Sequence, residues 1–170
     1  MPGGSIPTGW TQWDSSWPSS LEPEARRSLE AYFLDRFGVR PQALAGLSFM
    51  SKGQTVYALS ALPESQEVSA RLRVVSVGLP FVRIVGRYMK PTSAALRLLA
   101  KEICCNRMSL ELNQALELVR AGQIELAHSL KEGYVLLEIP GLVLGCGLAL
   151  PGRIKSQIPR REIRALLGGR

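Results

Sequence analysis

The sequence has one histidine, His128, and three cysteines, Cys104, Cys105 and Cys146, among its 170 residues. A single imidazole excludes His-based metal centres and most hydrolytic triads, which lose a ligand or a base. Three thiols are too few and too oddly spaced for a disulfide framework or a Cys-x-x-Cys metal site, so a reducing, cytoplasmic compartment is expected. Adjacent Cys104 and Cys105 cannot easily close an unstrained bridge, and the plain expectation is one buried thiol beside an incidental neighbour. With a mean hydropathy of +0.07, no apolar run reaches the roughly 18 residues of a membrane span. The opening Met1-Pro-Gly-Gly-Ser-Ile-Pro lacks the basic and apolar stretches of a secretory leader. No Gly-x-Gly-x-x-Gly or phosphate-binding loop follows a strand and opens a helix. No convergent carboxylate pair stands out in the basic half either. Catalysis by this chain alone, a metal and a cofactor are therefore not expected.

What is present is apolar and basic. Hydrophobic residues make up 46% and charged residues 21%, enough for one domain or two small ones with a sizeable core. Lys and Arg number 21 against 14 Asp and Glu, a net +7 that favours polyanionic partners. The charge is unevenly spread. Residues 1–70 hold five basic and seven acidic residues, whereas residues 71–170 hold sixteen basic and seven acidic ones. Two modules with different work are expected, the second facing an anion. Its densest stretch, Arg153 to Arg170, has six basic residues and one acid, Glu162.

Along the chain, residues 1–19 read as a flexible arm rich in Gly, Pro, Ser and Thr. Trp10, Trp13 and Trp17 within it either fold back as apolar anchors or grip a base or a protein partner. A helix is expected from about Ser20 to Phe37, capped by Ser19 or Ser20, with Ala25, Leu29, Tyr32, Phe33 and Phe37 as its core stripe. Strands are expected at 47–49, 55–59, 72–77 and 81–85, with loops at 51–54 and 63–69. A second helix starts at Lys90-Pro-Thr-Ser93 and buries Ala94, Ala95, Leu98, Leu99 and Ile103. A third, about Ser109 to Arg120, buries Leu112, Ala115, Leu116 and Val119 and stops at Gly122. The period then changes to an apolar hairpin, 133–139 and 142–150, about Pro140-Gly141. A Pro151-Gly152 turn leads to a short basic strand, 153–155. His128, between the third helix and the hairpin, is expected to be structural, and Cys146 to be a small core residue.

Three segments carry a family resemblance: Gly133-Tyr-Val-Leu-Leu-Glu, Gly141-Leu-Val-Leu-Gly-Cys-Gly, and Gly152-Arg-Ile-Lys-Ser-Gln-Ile-Pro-Arg160. Together they resemble the PUA-like C-terminal region of the Nol/Nop/Sun rRNA 5-methylcytosine methyltransferases, and the plan of the chain is similar to stand-alone pre-PUA/PUA proteins of ribosome biogenesis. The methyltransferase core, with its S-adenosylmethionine loop and Pro-Cys motifs, is absent. Cys146 and Ser156 also stand where that family usually has an aromatic residue and Asn.

The resemblance implies an α+β protein in three parts: the arm (1–19), a small N-terminal α/β pre-PUA-like module (20–89), and a PUA-like β-barrel with flanking helices (90–170). It further implies binding of structured RNA, rRNA or tRNA, in ribosome biogenesis or RNA modification. The expected phosphate contacts are Arg153, Lys155, Arg160 and Arg161, with Arg164 at the rim and Lys90 and Arg87 extending the patch. Gly145 and Gly147 are expected to let a ribose-phosphate approach the backbone. A plainer account makes Arg153 and Lys155 the solvated face of an edge strand. From another class comes a protein-interaction adaptor that docks on an RNA-modifying enzyme or ribosomal protein through the arm and first module. An RNA-modifying enzyme of unfamiliar chemistry is the third reading.

Overall fold

A computed structural model describes residues 18–60 and 78–162. Residues 1–17 of the arm with its three tryptophans, the expected 63–69 loop and 72–77 strand, and Arg164 lie outside the described residues. The chain divides into two units, one formed by residues up to Asp35 together with Val39–Lys90, the other by Arg36–Gly38 with Pro91 onward.

In the first unit, helix α1 (Pro23–Phe37) packs on a meander of antiparallel strands: β1 (Ser19–Ser20), β2 (Leu47–Lys52), β3 (Thr55–Ser60), β4 (Leu79–Val85) and β5 (Tyr88–Pro91). Ser19 and Ser20 do not cap the helix. They pair with Ser51 and Met50 as β1, because the sheet edge offers their backbone a ladder that a frayed first turn cannot. Pro23 opens α1 where its missing N–H costs nothing. The expected stripe is largely right: Ala25, Leu29 and Phe33 are buried, while Tyr32 is only half-buried. Phe33 and Phe49 each pack against Phe81, with ring centroids 5.0 and 5.1 Å away, and Val56 and Ala58 complete this core.

In the second unit, five strands take the order β6-β8-β9-β10-β7, with β6 Arg107–Ser109, β7 Gln123–Glu125, β8 Gly133–Ile139, β9 Leu142–Leu150 and β10 Arg153–Ser156. β6 runs parallel to β8, and the other pairings are antiparallel. The strand order is open, with β6 and β7 at its ends, so the described strands do not form the closed barrel expected from the sequence. Helix α2 (Ser93–Leu98) packs against β9 and helix α3 (Leu112–Ala121) against β7 and β10. The Thr92 hydroxyl caps α2 by accepting the Ala95 N–H at 3.1 Å. Gly122, at φ 77, ends α3 and donates its N–H to Leu118.

Both helices are rotated slightly from the expected faces. Ala95, Leu96, Leu99 and Ile103 are buried but Leu98 is 53% exposed, and on α3 Ala115 and Leu118 are buried while Leu112 is 58% exposed. One face of the sheet closes over α3 through Val135, Leu137, Leu144, Ala149, Ile154 and Ile158. Cys146 is buried as expected, but Cys104 and Cys105 are both exposed. Neither thiol fills the core because the pair follows α2 in a bend whose backbone is turned inward, with both amides donating to the Phe37 carbonyl. His128 is structural: its Nε2 donates to the Leu150 carbonyl at 2.9 Å.

Candidate nucleic-acid interface

Strand β10 alternates strictly. Ile154 is buried in the α3-facing core, and Arg153 and Lys155 on either side of it are exposed. Antiparallel pairing fixes what surrounds them. Lys155 lies between Leu148 of β9 and Gln123 of β7, and Leu148 is opposite Tyr134 of β8. Tyr134, Leu148, Lys155 and Gln123 therefore form one row across four strands, each about 4.8 Å from the next. Arg153 sits one row over, between Leu150 and Glu125. Leu148, Leu150 and Tyr134 are half-buried, so this end of the face is open and mixes apolar and cationic groups.

Past β10, Ser156 keeps the strand beside α3 by donating its N–H to the Gly122 carbonyl at 2.8 Å. Pro159 then starts a helical turn at Arg160, whose Glu162 N–H bonds Pro159 at 2.9 Å. Arg160 and Arg161 are exposed on that turn. The turn is latched from α2, where Arg97 pairs with Glu162 at 2.9 Å and donates Nε to the Leu144 carbonyl at 3.1 Å. Glu162, the one acid in the basic stretch, is thus already neutralised by Arg97. Among the described residues, no carboxylate forms an ion pair with Arg153, Lys155, Arg160 or Arg161. Four exposed cations on one short stretch, none in an ion pair although Glu125 lies across from Arg153, give a site that a polyanion can neutralise.

The two glycines do something else. Gly145 and Gly147 are buried, and the space their missing side chains leave is already filled. A Cβ on Gly145 would lie 2.6 Å from Cβ and Oγ of Ser93, and one on Gly147 would lie 2.7 Å from the Leu137 side chain. Their thinness admits α2 at one glycine and a core leucine at the other, so packing within the unit accounts for both missing side chains. Arg87 and Lys90 fall in the first unit.

Tyr134 and Gln123 were missed as members of the candidate surface. Strict alternation about the Pro140-Gly141 turn would have paired Tyr134 with Gly147, on the Ile154 face; a register shift between Leu137 and Glu138 brings it opposite Leu148 instead, and nothing in the sequence signals that shift or β7. Burial raises the Tyr134 phenol above its ordinary value of 10.0, and the adjacent Cys146 pushes it the same way. A phenol with a raised pKa in the folded state holds its proton longer than in the unfolded chain. Its contribution is intact below pH 10.0 and is lost as the pH climbs toward the folded value. The urea midpoint should fall on alkaline titration, and Tyr134→Phe should make that fall shallower. An equally steep fall in the variant would mean that Tyr134 does not couple to folding.

The family match agrees with the sequence resemblance for this part of the chain. Residues 105–163, which span β6 to the start of the final helical turn, match a family of PUA domains. The particular family is described as the methyltransferase RsmF PUA domain, so this segment resembles the PUA-like C-terminal region of the Nol/Nop/Sun enzymes. Among solved structures, a conserved PUA domain protein from Thermoplasma acidophilum is similar at 12% identity and a TM-score of 0.47, over 88% of this chain and 85% of that one. No curated protein matches the chain.

Proposed function

We propose that the protein is a non-catalytic, cytoplasmic RNA-binding protein that serves ribosome biogenesis or the modification of rRNA or tRNA. Its second unit would hold structured RNA along β10 and the turn that follows. The observation that carries this reading is the set of four exposed cations, Arg153, Lys155, Arg160 and Arg161, none paired with a carboxylate among the described residues, within a segment that matches a PUA domain. Structured RNA is gripped mainly by its phosphates, 2′-hydroxyls and shape, and a rigid strand followed by a latched turn holds cations at fixed spacing for that purpose.

The test is the salt dependence of binding to a structured rRNA fragment. Each cation that neutralises a phosphate contributes about 0.7–0.9 to the slope of log K against log salt. A folded Lys155→Glu/Arg160→Glu variant should therefore lose about 1.4–1.8 of slope and bind at least tenfold more weakly at moderate salt. Unchanged affinity and slope would overturn the proposal.

A further inference from the structure

The first unit carries its own cationic, aromatic feature at the β4–β5 turn. The two strands are neighbours in the sheet and are joined by Gly86-Arg87. Gly86 has φ 58 and nothing within 4 Å of where a Cβ would stand, so the tip projects into open space. This is the first central position of a two-residue hairpin turn, where positive φ suits the sheet twist. Val85 and Tyr88 flank the turn and are 51% and 43% exposed. The Arg87 guanidinium lies over the Tyr88 ring, 5.3 Å from its centroid, and its Nε donates to the Tyr88 hydroxyl at 3.1 Å. Arg83, two residues before Val85, is exposed on the same strand. No carboxylate pairs with Arg83 or Arg87 among the described residues. No Asp or Glu occurs anywhere from residue 68 to residue 101, a stretch that holds seven Lys and Arg.

An exposed aromatic ring held by an arginine, between unpaired cations and far from any acid in the sequence, suits one ligand chemistry. We infer that the β4–β5 hairpin tip is a second RNA contact, which stacks an unpaired base on Tyr88 while Arg83 and Arg87 meet the flanking phosphates. This second contact rests on the RNA-binding reading of the second unit and adds a site with a different preference. A base inside a duplex already has both faces stacked, so an exposed ring selects single-stranded nucleotides. The guanidinium on Tyr88 orients the ring and adds a cation–π contribution. A protein partner would be expected to supply carboxylates to the arginines instead of a base to the ring.

The experiment uses the full chain and two probes, a structured rRNA hairpin and a labelled oligouridylate of about a dozen nucleotides. Tyr88→Ala should weaken oligouridylate binding about tenfold while barely affecting the structured hairpin. Tyr88→Phe should bind oligouridylate like the wild type, since it keeps the stacking face. Arg83→Glu/Arg87→Glu should lower the oligouridylate salt slope by about 0.7 for each residue. With 5-iodouridine in the probe, photo-crosslinking of the unaltered protein should attach it to Tyr88, a readout that needs no variant to fold. Crosslinks confined to the β10 segment, or oligouridylate affinity indifferent to all three variants, would overturn the inference and leave the β10 reading intact. Loss of structured-RNA binding in Lys155→Glu/Arg160→Glu alone separates the two sites. Wild-type protein that binds neither RNA would end the RNA reading itself, and the hairpin inference with it.

Discussion

Gly145→Ala should cost about 2–5 kcal/mol of stability, a large fraction of what holds a domain of this size together. Two costs act together. Gly145 has φ +140, a backbone conformation that an L side chain adopts only under strain, and the new Cβ would stand 2.6 Å from Cβ and Oγ of Ser93. Ser93 cannot move aside cheaply. It is buried at the first turn of α2, and its hydroxyl accepts the Cys146 N–H at 3.1 Å. Arg97 is also near, with Nη2 3.3 Å from the built Cβ, so an outward shift of α2 would strain the latch to Glu162. The measurement is a urea titration of Gly145→Ala, Ser93→Gly and the double variant. Ser93→Gly should recover part of the loss, giving a clear interaction energy between the two sites. The result also decides between two meanings of this glycine. If it were thin for a ribose-phosphate, Gly145→Ala would fold normally and bind RNA less well, and the packing account would be wrong.

That glycine shows where sequence reading stops. The sequence reports that positions 145 and 147 lack side chains, but the neighbour that fills the gap is decided by the packing of α2 and of Leu137. Long periodic elements were legible because their pattern and their burial have one cause. The α1 stripe, the 133–150 hairpin and the alternation about Ile154 all follow from one face meeting a core. Short elements were not. β1, β6 and β7 are two or three residues long, and each exists because a neighbouring strand has an unpaired edge, which no local pattern encodes. The rotations of α2 and α3 that expose Leu98 and Leu112 arise in the same way, since several leucines compete for each face and the partner sheet chooses. Of the candidate interface, the exposed cations were readable from their clustering and from the apolar residue between them. Tyr134 and Gln123 required the register across four strands.

The strand that presents Tyr134 depends on one buried cation, and its loss should be as costly as any substitution in the second unit. Arg36 is 8% exposed. Its guanidinium donates Nε to the Tyr134 carbonyl at 2.6 Å, Nη1 to Glu132 at 3.0 Å and Nη2 to Lys131 at 2.8 Å. The fork lies over Gly133, whose φ of 123 and missing Cβ let Cζ come within 3.1 Å of the space a side chain would need. Three successive donors thus close the approach to β8, where carbonyls of an incoming loop would otherwise be buried unpaired. Hydrogen bonds to a charged group are worth about 1.5–3 kcal/mol each, and water recovers part of that when they break. Arg36→Met should therefore cost about 3–5 kcal/mol, and the first amides of β8 should exchange with solvent much faster. Arg36→Lys should restore little, because an ammonium cannot span three carbonyls in the plane that a guanidinium fork occupies. Tyr134, less buried in either variant, should titrate closer to its ordinary 10.0. An Arg36→Lys protein as stable as the wild type would show that charge alone, and not the three-pronged geometry, holds this end of the sheet.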